Sequence, residues 1–169
     1  MEKKYEFTDE VDIVYKRKVY PIRALKNFGD IKAGDLGGFI EKEGNLSHEG
    51  DCWVGGNACV SHNAKVCGNA RVFGKARIAD RACICGNANV FKNACVESDA
   101  YIFDKAKVYG KAEVCGKSRI YGHAEVYENA KVKGRAEVYA IGKIYGDACL
   151  CWNACIGGDN RMSTGEKTR

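Results

Sequence analysis

An aliphatic residue stands at every sixth position from Val54 to Ile156, eighteen times without a gap, and nothing else in the chain restricts its fold so strongly. Two residues before each comes a small side chain: Cys52, then Ala at every step from Ala58 to Ala154 except Ser118 and Gly142. A spacing of two puts both on the same face of a strand, so each hexad offers one small and one branched apolar group to an interior. Two residues after the aliphatic one stands Gly in ten of the hexads, and elsewhere often Asp or Lys, which suits a turn of positive φ. A helix would scatter a period of six around its circumference. A strand of about four residues with a two-residue corner cannot bury its face alone, so the chain must coil as a solenoid of short parallel strands.

The repeat resembles that of the hexapeptide-repeat proteins, from Cys52 to about Gly158. The resemblance implies an all-β chain: a left-handed parallel β-helix with three hexads to each triangular coil. Eighteen hexads then make about six coils, and roughly 4.8 Å between stacked strands gives a prism about 29 Å long. The expected organisation is a small β-rich N-terminal cap over residues 1–51, the β-helix over 52–158 and a polar C-terminal tail over 159–169.

If a coil takes 18 residues, positions 18 apart stack in columns. The position after the aliphatic residue then aligns Phe73, Phe91, Tyr109, Tyr127 and Tyr145 on one face, and Cys67, Cys85, Phe103, Tyr121 and Tyr139 on a second. The third face carries Ser61, Ala79, Glu97, Cys115, Lys133 and Cys151. Stacked rings stabilise neighbouring strands, but two outward aromatic ladders are more than a monomer usually exposes. The rings Phe73, Phe91, Tyr109, Tyr127, Tyr145, Phe103, Tyr121 and Tyr139 are therefore the expected interface of a homo-oligomer, and hexapeptide-repeat proteins commonly form trimers.

The ten Cys residues are expected to be reduced thiols, because MEKKYEFTDE lacks the apolar core of a secretory leader and the repeat itself tolerates small apolar residues at outward strand positions. Cys67 and Cys85 would be neighbours one coil apart, and Cys83 and Cys85 flank Ile84. No C-x-x-C pair is followed by a second, so no metal site is expected from the spacing. The net charge of +5 is spread, Lys and Arg alternating with Asp and Glu, which reads as a solvated surface and argues against a nucleic-acid partner. No stretch resembles a membrane span, and the expected location is cytoplasmic.

Before the repeat, KKYEF and VDIVYKRKVYPIRAL read as short strands, with Pro21 near an edge or a bend. The glycine-rich, charged run that follows would close the open end of the solenoid. The run IRALKNFGDIKAGDLGGFIEKEGNLSHEGDCWV, followed by hexads of the G-N-A-x-V type, is similar to a group of small hexapeptide-repeat proteins encoded by bacteriophages and prophages, from about Tyr20 onward. That resemblance implies a phage accessory protein acting in a bacterial host cell, and brings no catalytic residue with it.

Two function classes compete. A CoA-dependent acyltransferase would need a His general base, and the chain offers His48 in the cap and His62 and His123 at corners. The excursion loop and helical C-terminal extension usual in the acyltransferases of this scaffold are both missing. A zinc carbonic anhydrase is set aside because the three His are too far apart along the coils. The preferred reading is a non-enzymatic oligomeric binding protein without a cofactor, which grips an anionic, ring-bearing ligand such as a nucleotide. In a phage setting it would sequester a nucleotide immune signal or occupy a host defence protein. The candidate ligand-binding residues are Arg23, Lys26, Trp53, Arg71 and Lys107; Trp53, Arg71 and Lys107 share one outward column, with Asn89 between the last two. Filaments built by end-to-end stacking are disfavoured by the charged cap and polar tail.

Overall fold

The computed structural model describes residues 2–169. Every hexad adopts the conformation that its pattern demands. The small residue enters, a two-residue strand ends on the aliphatic one, and the second residue after it turns the corner in the left-handed region, with φ between +55° and +72° at all eighteen positions. Ten of these corners are Gly; the other eight are His62, Asp80, Lys92, Ser98, Asp104, Glu128, Ala140 and Trp152. Each strand hydrogen-bonds in parallel to the strand one coil away, so Val72 lies over Val90 and Val90 over Val108, 18 residues apart. Backbone bonds such as Phe73 N–H to the Val90 carbonyl at 3.0 Å repeat up the stack.

Three sheets result, one per face of the prism, parallel throughout the hexads. The branched and small positions of all eighteen hexads are buried and form one continuous core. Ser118, where an Ala is usual, keeps its hydroxyl satisfied inside by donating to the Cys115 and Val132 carbonyls. Among the described residues the cysteines are free thiols, and no helix is long and apolar enough to cross a membrane.

The coil runs on past both ends of the hexad series. Three strands precede it: β1 (Tyr5–Phe7), β2 (Asp12–Val14) and β3 (Arg17–Ala24), antiparallel to one another through β3. β4 (Leu36–Ile40) pairs antiparallel with β3 and parallel with the Cys59–Val60 strand, placing Ile40 over Val60. A short 3-10 turn over Glu43–Asn45 leads to Leu46, which bridges Val66. Ile40 and Leu46 thus begin a turn before Cys52, with a 20-residue rather than an 18-residue return. At the other end Met162 lies over Ile144, and Lys167 over Leu150, so residues 161–167 continue the coil. The solenoid has about seven turns.

Pro21 sits where the β3–β4 register shifts, a bulge that needs no N–H from it. Gly37 and Gly38 lie inside β4 and not in a turn. A Cβ on Gly37 would come 2.6 Å from Ile22, Trp53 and the Val54 carbonyl, so β4 can lie against the first coil only because these side chains are absent.

Candidate functional site

Trp53, Arg71 and Phe73 come together in a cleft of about 470 Å³ at the N-terminal end of one face. The strand period makes this so. Trp53 and Arg71 precede their aliphatic residues on successive coils and face outward in register, and Phe73 follows Val72 on the same strand. The loop 28–35 and the start of β4 form the opposite wall with Asp30, Ile31 and Leu36. Trp53 is itself buried and edge-on to Phe28 at 5.4 Å and to Tyr5 at 6.5 Å, so it anchors that loop more than it meets solvent.

The polar element is an ion pair. Arg71 Nη2 donates to Asp30 Oδ1, and the two differ sharply in exposure: the Arg71 side chain is 24% exposed, that of Asp30 80%. A hydrogen bond from its own backbone, and then the Arg71 guanidinium, hold the Asp30 carboxyl below its usual pKa. A half-buried guanidinium thus faces a cleft, held by a carboxylate on the solvated side, and a phosphate or carboxylate could take the place of Asp30 bidentately.

The apolar element is a gap in the aromatic column. Phe73, Phe91, Tyr109, Tyr127 and Tyr145 stack face to face with centroids 4.9, 4.8, 5.0 and 5.1 Å apart and planes within 6° of parallel. One coil before Phe73 the column position is Gly55, which lines the same cleft. The ladder therefore ends on an open ring: Phe73 is 41% exposed. A planar ring entering over Gly55 would occupy the next place in a stack already set at about 5 Å, beside Arg71.

The other predicted ligand residues are elsewhere. Arg23 is exposed on β3 and paired with Glu6 at 3.6 Å, and Lys26 pairs with Glu2 at 3.1 Å. Lys107 does share the Trp53–Arg71 column, but two coils beyond Arg71, a separation of roughly 10 Å, and it is exposed. Residue types alone did not single out Asp30, Leu36 and Gly55 as walls of the cleft. Gly55 was readable in principle as the vacant place in the 18-residue column; Asp30 and Leu36 depend on how the loop folds back.

The second ladder runs Phe103, Tyr121, Tyr139 at 4.9 and 5.6 Å, with Tyr101 against Phe103 at 4.4 Å. Tyr109 and Tyr121 donate their hydroxyls to Glu125 and Glu137 at 2.8 and 3.0 Å. Elsewhere on the faces charges alternate between coils, as in Lys143–Glu125 at 3.0 Å and Lys131–Glu113 at 3.3 Å.

Beneath the cap, Lys4 is fully buried. Its ammonium donates to the Cys52 carbonyl at 2.8 Å, the Gly50 carbonyl at 3.1 Å and the Cys52 Sγ at 3.3 Å, and lies 5.0 Å from the Phe28 ring centroid. Burial lowers the Lys4 pKa and raises that of Cys52. Tyr5 stacks on His48 at 4.3 Å and donates to the Leu46 carbonyl at 2.7 Å. His48 accepts from the Lys4 backbone N–H with Nδ1 at 3.0 Å, while Nε2 meets Glu43 at 2.9 Å. Both His48 nitrogens are thus engaged in closing the end of the prism. His62 Nδ1 meets only its neighbour Ser61 at 3.0 Å.

No model of a known protein family matches the chain, and no curated protein does either.

Proposed function

We propose that the chain is a non-enzymatic binding protein whose cleft takes an anionic ligand bearing a planar ring, of the nucleotide class. One observation carries the reading: the aromatic ladder stops at Phe73 because Gly55 holds the next place, and the vacancy lies beside the guanidinium of Arg71. The ring would stack on Phe73, the anion would displace Asp30 from Arg71, and Leu36 and Ile31 would cover the ring's outer edge. The similarity of Tyr20 onward to phage hexapeptide-repeat proteins supports the setting: a phage protein in the host cytoplasm that sequesters a nucleotide immune signal, or occupies a host defence protein. The two outward ladders support assembly of several chains, with a trimer as the expected state.

Calorimetry against a panel of cyclic nucleotides and CoA tests this. A cyclic nucleotide should bind without turnover. Arg71→Ala should weaken that binding roughly 10- to 100-fold, the loss expected for one hydrogen-bonded charge pair. Gly55→Leu, which fills the vacancy, should remove it. Acetyl-CoA turnover would overturn the reading in favour of an acyltransferase; equal binding by wild type and Gly55→Leu would overturn the placement of the ring.

A further inference from the structure

We propose that Cys67, Cys83 and Cys85 form a binding site for a thiophilic d10 cation, zinc(II) or copper(I). On the face that carries the second aromatic ladder, Val66 and Ile84 are in register, so Cys85 lies over Cys67, while Cys83 and Cys85 flank Ile84 and point the same way. The three thiols fill three corners of a two-by-two array whose fourth corner is Lys65, in register with Cys83. Their sulfurs all lie within 4.8 Å of one another, and each residue is partly exposed.

That spacing is close to what a metal requires. With metal–sulfur bonds of about 2.3 Å, three coordinated sulfurs sit about 3.8–4.0 Å apart, so closing the site takes less than about 1 Å and only χ1 adjustments. An all-sulfur set selects soft ions over magnesium or calcium. Coordination forms three metal–sulfur bonds and releases three thiol protons to solvent. Three thiolates around a divalent ion leave one net negative charge, at a site whose remaining array position is the cationic residue Lys65. Tyr101, in register with Cys83 on the next coil, already has its hydroxyl 3.2 Å from the Cys85 sulfur. Once the thiol proton is gone, the phenol can donate to the bound sulfur from outside the metal's own ligand set. A zinc ion would keep a solvent-side position for a fourth ligand, whereas copper(I) would be satisfied by three. Cys149, Cys151 and Glu166 also converge, but Cys151 is buried and its thiol already donates to Glu166 at 2.9 Å.

The test uses the full, reduced chain carrying Cys149→Ser and Cys151→Ser, titrated with zinc(II) and with copper(I) against chromophoric chelators. One equivalent of at least one ion should bind with sub-micromolar Kd. Cys85→Ser should cost more than the roughly 10- to 100-fold lost with an outer partner alone, and Cys115→Ser should cost nothing. In the chain without these additional substitutions at the site, bound metal should shield Cys67, Cys83 and Cys85 from iodoacetamide and leave the exposed Cys155 reactive, a readout that does not depend on whether a variant folds. Failure of both ions to bind below micromolar, or equal binding by the Cys67→Ser/Cys83→Ser/Cys85→Ser triple variant, would overturn the site. Neither outcome bears on nucleotide binding at Phe73.

Discussion

A single backbone requirement, the left-handed corner, is met by residues that differ greatly in how well they tolerate it. Ala140 has no polar side chain to bond locally, yet holds φ +55°, at a cost of about 1 kcal/mol or more relative to Gly. Ala140→Gly should raise stability by about 1 kcal/mol, read as a higher urea midpoint. The same exchange at Ala148, which is fully buried in the core, should lower it, since it removes a packed methyl and loosens a strand. Cys59 makes a second residue-scale case. It points outward but lies under the β2–β3 hairpin, sharing a small cavity with Val14, Tyr15 and Arg17, and burial pushes its thiol from 9.0 up to about 11. Below pH 9 the thiol is protonated in both states and its contribution is complete. Between pH 9 and about 11 the unfolded chain sheds the proton first, so stability falls as pH rises. Cys59→Ala should flatten that part of the stability–pH curve, as urea midpoints at pH 8 and pH 10.5 would reveal.

A two-residue strand is too short to be stable by itself, and each element is held by the copies above and below it. The outward side chains follow the same rule. Phe91 has Phe73 at 4.9 Å on one side and Tyr109 at 4.8 Å on the other. Phe91→Ala breaks two stacked pairs and should destabilise by about 1–3 kcal/mol, whereas Lys133→Ala, exposed on the face without a ladder, should stay within about 0.5 kcal/mol. A matching pair of denaturation curves checks both. The ladders therefore contribute within one chain whatever they do between chains. They were legible as columns once the 18-residue return was assumed, because residues in register are neighbours by construction. The Trp53–Arg71 pairing was legible for the same reason, and the convergence of Cys67, Cys83 and Cys85 was half legible: their adjacency follows from the register, but the distance between sulfurs depends on side-chain rotamers.

For the whole molecule the ends matter most, since a solenoid exposes an unpaired coil at each. At the N-terminal end Lys4, Tyr5, His48 and Trp53 form a plug, in which the buried ammonium takes up carbonyls that no further strand bonds. At the C-terminal end Met162 covers Ile144, and Lys167 stands over Leu150 with its ammonium on the Cys155 carbonyl at 2.9 Å. A chain ending at Gly158 would uncover Ile144 and Leu150 together with their strand edges. It should self-associate with rising concentration in sedimentation velocity, while the full chain keeps one discrete size.

The sequence by itself determined the period, the inward and outward faces, the left-handed corners and the columns, because each follows from contacts 2, 6 or 18 residues apart that repeat identically along the chain. It did not determine where the coil begins and ends or what becomes of the cap. Ile40 and Leu46 at one end and Lys167 at the other are spaced off the hexad, and the cap's strands return antiparallel through a bulge at Pro21. Arg23 and Lys26 sit in cap ion pairs, and Arg71 meets Asp30 across a loop 41 residues away, because non-repeating segments settle by packing against whatever surface the coils present. Only the tertiary structure could decide which cations would face the cleft.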